Sequence, residues 1–377
     1  MNQEKHGVKA RVLAFYLPQF HPIPENDEWW GKGFTEWTNV GKAGKLFPGH
    51  YQPRVPADLG YYDLRVPETR EAQANLARKY GIEGFVYWHY WFGNGKRLLE
   101  RPFNEVLAFG KPDFPFCLAW ANESWRGFWH GVKTKKTLID QEYPGDEDYI
   151  AHFKTVLPAF KDNRYIKCHG KPLFFIYRYK DVPDVAHFIE LWQQLAKDNG
   201  LPGIHFVAHA QNIYSQERCD AIIQETGKLG FASLNMSNHL GNSQVMHPLW
   251  LRMIRRILLN NRFLYKYHLI PDIRTYCIKD HESPVDGNSF VIPSVSPGWD
   301  HTPRTGKMGR VLIGSAPEKF QKLVEVQLRK IMSKPIEERF LVVKSWNEWA
   351  EGNYLEPDLR YGHKYLQALQ NAICANS

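Results

Sequence analysis

The sequence predicts a single (β/α)8 barrel of the TIM type with extended βα loops, spanning residues 1–377 as one domain. Three observations lead there. Eight short apolar runs alternate with helical patterns up to the C-terminus, the mark of strand–helix units on a parallel sheet. No linker, low-complexity tract or internal repeat divides the chain. Most of the runs end in polar and aromatic residues, and in such barrels chemistry gathers where strands end and loops begin. An open, doubly wound sheet is the alternative that the same alternation allows.

The expected strands are, in order, Val12–Leu17, Gly84–Trp88, Phe116–Trp120, Pro172–Tyr177, His205–Ala208, Phe231–Leu234, Phe290–Pro293 and Phe340–Val343. Runs this short, with little alternation, read as strands covered on both faces. The first expected helix, Pro67–Tyr80, starts with a proline, whose missing N–H costs nothing in a first turn, and stops at Gly81. Asp146–Lys161, Asp184–Asp198, Ala316–Ser333 and Gly362–Ala375 follow. Within Asp184–Asp198, the residues Val185, Phe188, Ile189, Trp192 and Leu195 form one apolar face suited to packing on a sheet.

The last strand leads into Lys344-Ser345-Trp346-Asn347-Glu348-Trp349-Ala350-Glu351-Gly352. Glu348 and Glu351 are two carboxylates three residues apart, beside Trp346, Asn347 and Trp349. Paired carboxylic acids in an aromatic pocket are what glycosidic-bond chemistry uses, because burial and mutual repulsion separate their pKa values. The plain alternative is a solvated pair on a loop.

The other strand ends supply the expected pocket lining. Strand one ends in Tyr16, Gln19 and His21, strand two in Tyr87, Trp88 and His89, and strand three in Trp120, Asn122 and Glu123. Tyr177 and Arg178 end strand four, His209 ends strand five, and Trp299 and Asp300 follow strand seven. The chain has 13 Trp, most at strand ends or in loops, and an indole stacks on the C–H face of a sugar ring with little entropy loss. Each has a structural alternative: Glu123 paired with Arg126, histidines satisfied in packing, Asp300 capping a turn, indoles plugging loop contacts.

Net charge is +8, which permits contact with anions without establishing it; nothing else points to nucleic acid, and no such partner is expected. Five scattered cysteines without C-x-x-C spacing read as free thiols in a reducing compartment. The run from Val12 to Leu17 is too short for a signal-peptide core or a membrane span, so a cytoplasmic location is expected. No H-x-H spacing or obvious diphosphate–metal motif is read, so no metal and no cofactor are expected. Gly93-Asn94-Gly95-Lys96 lacks full Walker spacing and reads as a turn. The basic stretch 251–259 reads as an outer barrel helix, or as a surface in peripheral contact with the inner membrane, near a lipid-linked glycan.

Several blocks carry a resemblance. Phe15-Tyr16-Leu17-Pro18-Gln19-Phe20-His21-Pro22, Trp29-Trp30-Gly31-Lys32-Gly33-Phe34-Thr35-Glu36-Trp37-Thr38-Asn39-Val40, Asp58-Leu59-Gly60-Tyr61-Tyr62-Asp63-Leu64-Arg65, Phe85-Val86-Tyr87-Trp88-His89-Tyr90-Trp91-Phe92 and Leu118-Ala119-Trp120-Ala121-Asn122-Glu123 resemble the WbsX family. That family is described as glycosyltransferases of bacterial polysaccharide clusters and as glycoside hydrolase family 99-like. The resemblance runs from about Arg11 to Glu356. Family 99, the endo-α-mannosidases, looks like a more distant relative, sharing the barrel and the Trp-Asn-Glu-Trp-x-Glu-Gly block. The resemblance implies that Glu348 assists the sugar 2-hydroxyl as a base, giving a 1,2-anhydro intermediate. It makes Glu351 the general acid and then base at the glycosidic oxygen, with retention of configuration. After the block this chain has Asn353-Tyr354-Leu355-Glu356-Pro357 where the mannosidases continue towards Thr-Gln-Ile-Glu-Pro, so a mannose preference does not carry over.

The reading is a carbohydrate-active enzyme of surface-polysaccharide metabolism (O-antigen or capsule) that transfers or hydrolyses, acting on a glycan or lipid-linked oligosaccharide. The alternative from a different class is a non-catalytic glycan-binding protein on the same scaffold.

Overall fold

The computed structural model describes residues 8–127, 137–238, 253–254, 257 and 271–374. The eight runs form eight parallel strands: β1 Arg11–Tyr16, β2 Gly84–Trp91, β3 Phe116–Trp120, β4 Lys171–Ile176, β5 His205–Gln211, β6 Ser233–Ser237, β7 Val291–Val295 and β8 Phe340–Val343. Each pairs with the next, and β8 returns to β1 through Val12↔Leu341, while β1 pairs with β2 through Phe15↔Val86. The sheet is therefore a closed barrel, and the open-sheet alternative is ruled out.

Seven helices in the described residues dress the barrel: α1 Pro67–Lys79, α2 Arg101–Phe109, α3 Asp146–Lys161, α4 Val185–Asp198, α5 Gln216–Lys228, α6 Pro317–Ile331 and α7 Lys364–Ile373. The expected helical face of α4 is real. Its Trp192 is fully buried, donates its indole N–H to the Tyr149 carbonyl at 3.0 Å, and packs on Phe174 of β4. Asp184 caps α4 by accepting from the His187 N–H at 3.1 Å. Helices α2 and α5 went unread in the sequence because their apolar stripes are short. The basic stretch 251–259, apart from Met253, Ile254 and Ile257, lies outside the described residues.

Strand limits move where polar residues point into the barrel. β6 runs through Asn235 and Ser237, and β5 through His209 to Gln211, which apolar runs alone do not reveal. Gly93-Asn94-Gly95 is a turn, as expected, all three at positive φ between β2 and the short strand Arg97–Leu98.

Alternation along each strand decides which side chains see the barrel axis. In β1, Phe15 points inward and stacks on Trp88 with ring centroids 4.4 Å apart, while Tyr16 points outward and donates to Gln73 of α1 at 2.7 Å. In β2, Trp88 and Tyr90 lie on the inner side. Phe85, Tyr87, His89 and Trp91 meet the helix layer: Tyr87 packs on Phe103 of α2, and His89 meets His152 of α3.

Candidate active site

The carboxylate pair leaves β8 at the C-terminal mouth of the barrel on a loop clamped from several sides. Asn347 accepts from the Leu17 N–H at 2.7 Å and donates to the Leu17 carbonyl at 3.0 Å, tying the loop to the end of β1. Trp349 stacks on Tyr354 at 3.8 Å and donates its N–H to buried Glu356 at 2.6 Å. Gly352 turns the chain at φ 63°, and a Cβ there would lie 2.7 Å from the Asp300 Cβ, so only glycine fits. The Asp300 N–H donates to the Glu351 carbonyl at 2.6 Å, fixing the backbone of the second glutamate.

Both side chains converge on Arg304, from the short helix Thr302–Thr305 after β7. Its Nη1 donates to Glu351 at 2.6 Å, and its Nη2 to Glu348 at 3.3 Å. The other edge of the same guanidinium, Nε with Nη2, holds Glu36 at 3.0 and 2.8 Å. Glu36 has no exposed surface and also accepts from Asn39 at 2.8 Å. Lys344, buried at the end of β8, lies 5.3 Å from the Trp299 ring centroid, and its ammonium makes no ion pair among the described residues. The His301 Nε2 stands 3.9 Å from Glu351.

The field separates the pair. Burial pushes the Glu348 carboxyl up, and the charge of Glu351 pushes it further, against the pull of Arg304 and Lys344. Burial also raises Glu351, but Arg304, Lys344 and His301 together outweigh it and hold that carboxyl below its usual range. Arg304 and Lys344 thus face three carboxyls, those of Glu36, Glu348 and Glu351, in one buried cluster. Two carboxyls in one site, one proton between them and opposed environments are what acid–base chemistry at an acetal needs.

The remaining expected residues divide into two groups. Trp88, His209, Glu123 and Trp299 sit at or near the mouth. His209 points inward beside Phe15 and Tyr177 and bonds Asn235 at 2.9 Å, and burial lowers its pKa to about 3. Glu123 meets Arg178 at 3.8 Å, in place of the expected Arg126, and burial raises its carboxyl. Tyr177, Arg178 and His209 open onto an adjoining cleft of about 380 Å³ that Gln211 and Arg218 also line.

The others do not reach the mouth, which corrects their reading as sugar contacts. Tyr16, Tyr87, His89 and Trp120 point into the helix layer, where Trp120 packs on His152 and Phe188. Trp346 packs on Phe85, also outward, and Trp349 is spent on Tyr354 and Glu356. Asn122 is a clip, donating to Tyr143 at 2.9 Å and the Arg178 carbonyl at 3.0 Å while accepting from the Arg178 N–H at 2.8 Å. Asn347 is the equivalent clip to β1. Asp300 is wholly buried, taking His50, Gln52 and both donors of Thr302, so its turn-capping alternative holds. His21 lies buried on the Pro18 carbonyl at 2.9 Å, and Gln19 is buried between loops, its backbone carbonyl accepting from the Glu36 N–H at 3.0 Å.

Glu36, Arg304, Lys344, His301 and Tyr90 were missed as site residues. Glu36 and Lys344 lie in the blocks quoted above, but a lone charge in a loop carries no spacing signal. Among the described residues no cluster of three or more His, Cys, Asp or Glu is placed to hold a metal, no disulfide forms, and no helix is long and apolar enough to cross a membrane.

Comparison with known proteins adds a family and a fold. The model of the family described as Glycosyltransferase WbsX matches residues 12–369. Two WxcX proteins of Xanthomonas campestris pv. campestris, both described as uncharacterized, are 37% and 36% identical over 372 residues, 97% of this chain. The chain spans about half the length of these relatives (50%). A solved glycoside hydrolase-like protein superposes with TM-score 0.59 at 12% identity, over 100% of this chain and 97% of the other. The GH99 endo-alpha-mannosidase from Bacteroides thetaiotaomicron gives TM-scores of 0.55 and 0.54 in two structures, at 14% and 15% identity, over 96% of each chain. At such identities the likeness is one of fold.

Proposed function

This chain belongs to the WbsX glycosyltransferase family, and we propose that it is a carbohydrate-active enzyme that makes or breaks a glycosidic bond of bacterial surface polysaccharide, with Glu348 and Glu351 as the reacting carboxylates. The observation that carries this reading is the shared guanidinium. Arg304 holds one oxygen of each glutamate at the barrel mouth, where the charge of Glu351 also acts on Glu123. We take residues 1–377 as one catalytic domain; the further half of the longer WxcX relatives is a separate matter.

The chemistry then follows the division implied by the resemblance. Glu348 accepts the proton of the sugar 2-hydroxyl as that oxygen closes on the anomeric carbon, and Glu351 gives its proton to the departing glycosidic oxygen. Glu351 next takes a proton from the incoming water or glycan hydroxyl, which opens the anhydro ring, while Glu348 returns its proton to the 2-oxygen. Configuration is retained. This course starts with the pair's proton on Glu351, whereas the surrounding charges raise Glu348 and lower Glu351. A substrate oxygen entering between Arg304 and Glu351 removes the ion pair that keeps Glu351 charged, and the proton follows.

The substrate class proposed is a glycan or lipid-linked oligosaccharide, reached in the cytoplasm. Peripheral membrane contact rests on the basic stretch 251–259 alone. The test is mass spectrometry of a lipid-linked glycan after incubation with pure protein, with and without pooled nucleotide sugars, beside Glu351→Gln. Shortening without nucleotide sugars, in wild type only, identifies a hydrolase; growth by one sugar when they are added identifies a transferase. A glycan bound equally by both proteins and altered by neither identifies the non-catalytic binder and sinks the proposal.

A further inference from the structure

We propose that Glu36 and Arg304 are a positioning pair for the two glutamates: Glu36 clamps one edge of the guanidinium, and the other edge sets where Glu348 and Glu351 stand and which of them faces the cation. The proposal rests on the catalytic reading of Glu348 and Glu351 above and adds two residues to it. The geometry is specific. Guanidinium has five N–H donors in a rigid plane. Nε and one Nη2 proton go to Glu36, the other Nη2 proton to Glu348, and an Nη1 proton to Glu351. One planar cation thus meets three carboxylates, and its contact is closest with Glu351, at 2.6 Å against 3.3 Å for Glu348.

A buried carboxylate such as Glu36 is costly unless paired, and its partner here is a group that also reaches the reacting pair. Were the cluster present for stability alone, the other edge of the guanidinium would not need to meet the glutamate pair. Asn39 and the Thr35-capped helix Glu36–Gly41 brace Glu36 from behind, so the clamp is built on a loop of β1 and works on a side chain from the loop of β7. The other charged and titratable groups facing the pair are Lys344 of β8, His301 beside Arg304, Glu123 after β3 and Tyr90 of β2. None of them bonds both glutamates. Arg304 alone, among the described residues, has hydrogen bonds to the two. Lysine cannot replace it, since an ammonium is a point charge without two edges.

The test needs no substrate in its first arm. Protein carrying glutamate labelled with carbon-13 at the side-chain carboxyl is titrated by NMR, and the two signals are assigned with Glu348→Gln and Glu351→Gln. Arg304→Met is expected to move the Glu351 midpoint up by about one pH unit or more, and Glu36→Gln, which removes a carboxylate charge that raises Glu348, to move the Glu348 midpoint down by less. Arg304→Lys is expected not to restore the wild-type titration. Arg304→Met with native melting and both midpoints unmoved overturns the proposal. If Glu36→Gln does not fold, the two Arg304 variants still decide. In the second arm, with turnover in hand, the acid limb of the pH profile shifts with the NMR midpoint and kcat falls while KM holds. A fall confined to KM overturns the positioning role. Should wild type act on no glycan while the NMR shifts appear, the catalytic reading fails and the positioning of the pair stands.

Discussion

His89 and His152 meet Nε2 to Nε2 at 2.8 Å in the layer between barrel and helices, so one ring donates and the other, which accepts, must be neutral. Trp91 stacks on His152 at 4.7 Å and seals the pair from water.

That pair makes the fold acid-sensitive. Burial holds His89 down to about 3 and His152 well below its usual value. In the unfolded chain both titrate near 6.5, so as pH falls through that value the unfolded state binds protons that the folded state refuses. Stability is therefore lost progressively below about pH 6.5, by up to roughly 1.4 kcal/mol per pH unit for each histidine. Urea unfolding at several pH values is expected to show a shallower acid decline in His89→Gln. Glycan binding by that variant should equal wild type, since the ring never reaches the mouth; a lost affinity would return His89 to the site.

Trp88 and Trp120 separate along the same logic. Trp88 lies inside the barrel on Phe15, and Trp120 is fully buried against α3 and α4. Trp88→Ala is expected to weaken glycan binding by about tenfold, the worth of one lost stacking contact. Trp120→Ala is expected to cost about 3–5 kcal/mol of stability with little change in affinity at temperatures where it stays folded. Calorimetric titration and thermal melts of the two variants check this, and the reverse pattern would contradict the facing assigned to these strands.

Glu356 anchors the loop that carries the glutamate pair. It accepts from Trp349 at 2.6 Å, Gln73 at 2.6 Å and Tyr62 at 2.9 Å, and burial raises its pKa to about 7 against those hydrogen bonds. Glu356→Ala leaves three buried donors unpaired and is expected to destabilise by about 3 kcal/mol. For a carboxyl whose folded value is raised, the unfolded chain releases its proton first, so this group subtracts stability as pH climbs from 4.5 to about 7. Glu356→Gln should flatten that decline, and a melt series that keeps its slope in Glu356→Gln counts against it.

Glu348 and Glu351 acting as proposed predict a bell-shaped profile. Glu348→Gln and Glu351→Gln are each expected to cut turnover by about 100-fold or more while glycan binding persists. The acid limb belongs to the ionisation of the lowered member of the pair, and the alkaline limb to loss of the proton held by the raised one. Both apparent values are properties of the pair. Steady-state rates across pH check the shape, and a profile flat from acid to alkaline pH would remove the two carboxyls from the chemistry.

The barrel was legible because closure needs only what short apolar runs announce. β1, β3 and β8 appear close to where their runs lie, since a strand covered on both faces has little choice of residue. The glutamates were legible because they are three residues apart on one loop, a local spacing that survives folding. Tyr16, His89 and Trp120 misled for one reason: a strand end names the right neighbourhood but not the face, and one residue of register separates the mouth from the helix layer. Asn122, Asn347 and Asp300 misled for another, because polar side chains at strand ends also serve to tie loops together.

By itself, then, the sequence determined the number and order of the strands, and it singled out the two carboxylates proposed to react. Those follow from periodicity and near neighbours, which act over a few residues. The tertiary structure alone decided that Arg304 joins Glu36, Glu348 and Glu351, because a guanidinium and a carboxylate 268 positions apart in the chain meet only once the barrel has closed and brought the β1, β7 and β8 loops to one mouth. Which glutamate is charged is then a matter of that meeting, since the same residue type is raised by burial beside one neighbour and lowered by a cation beside another.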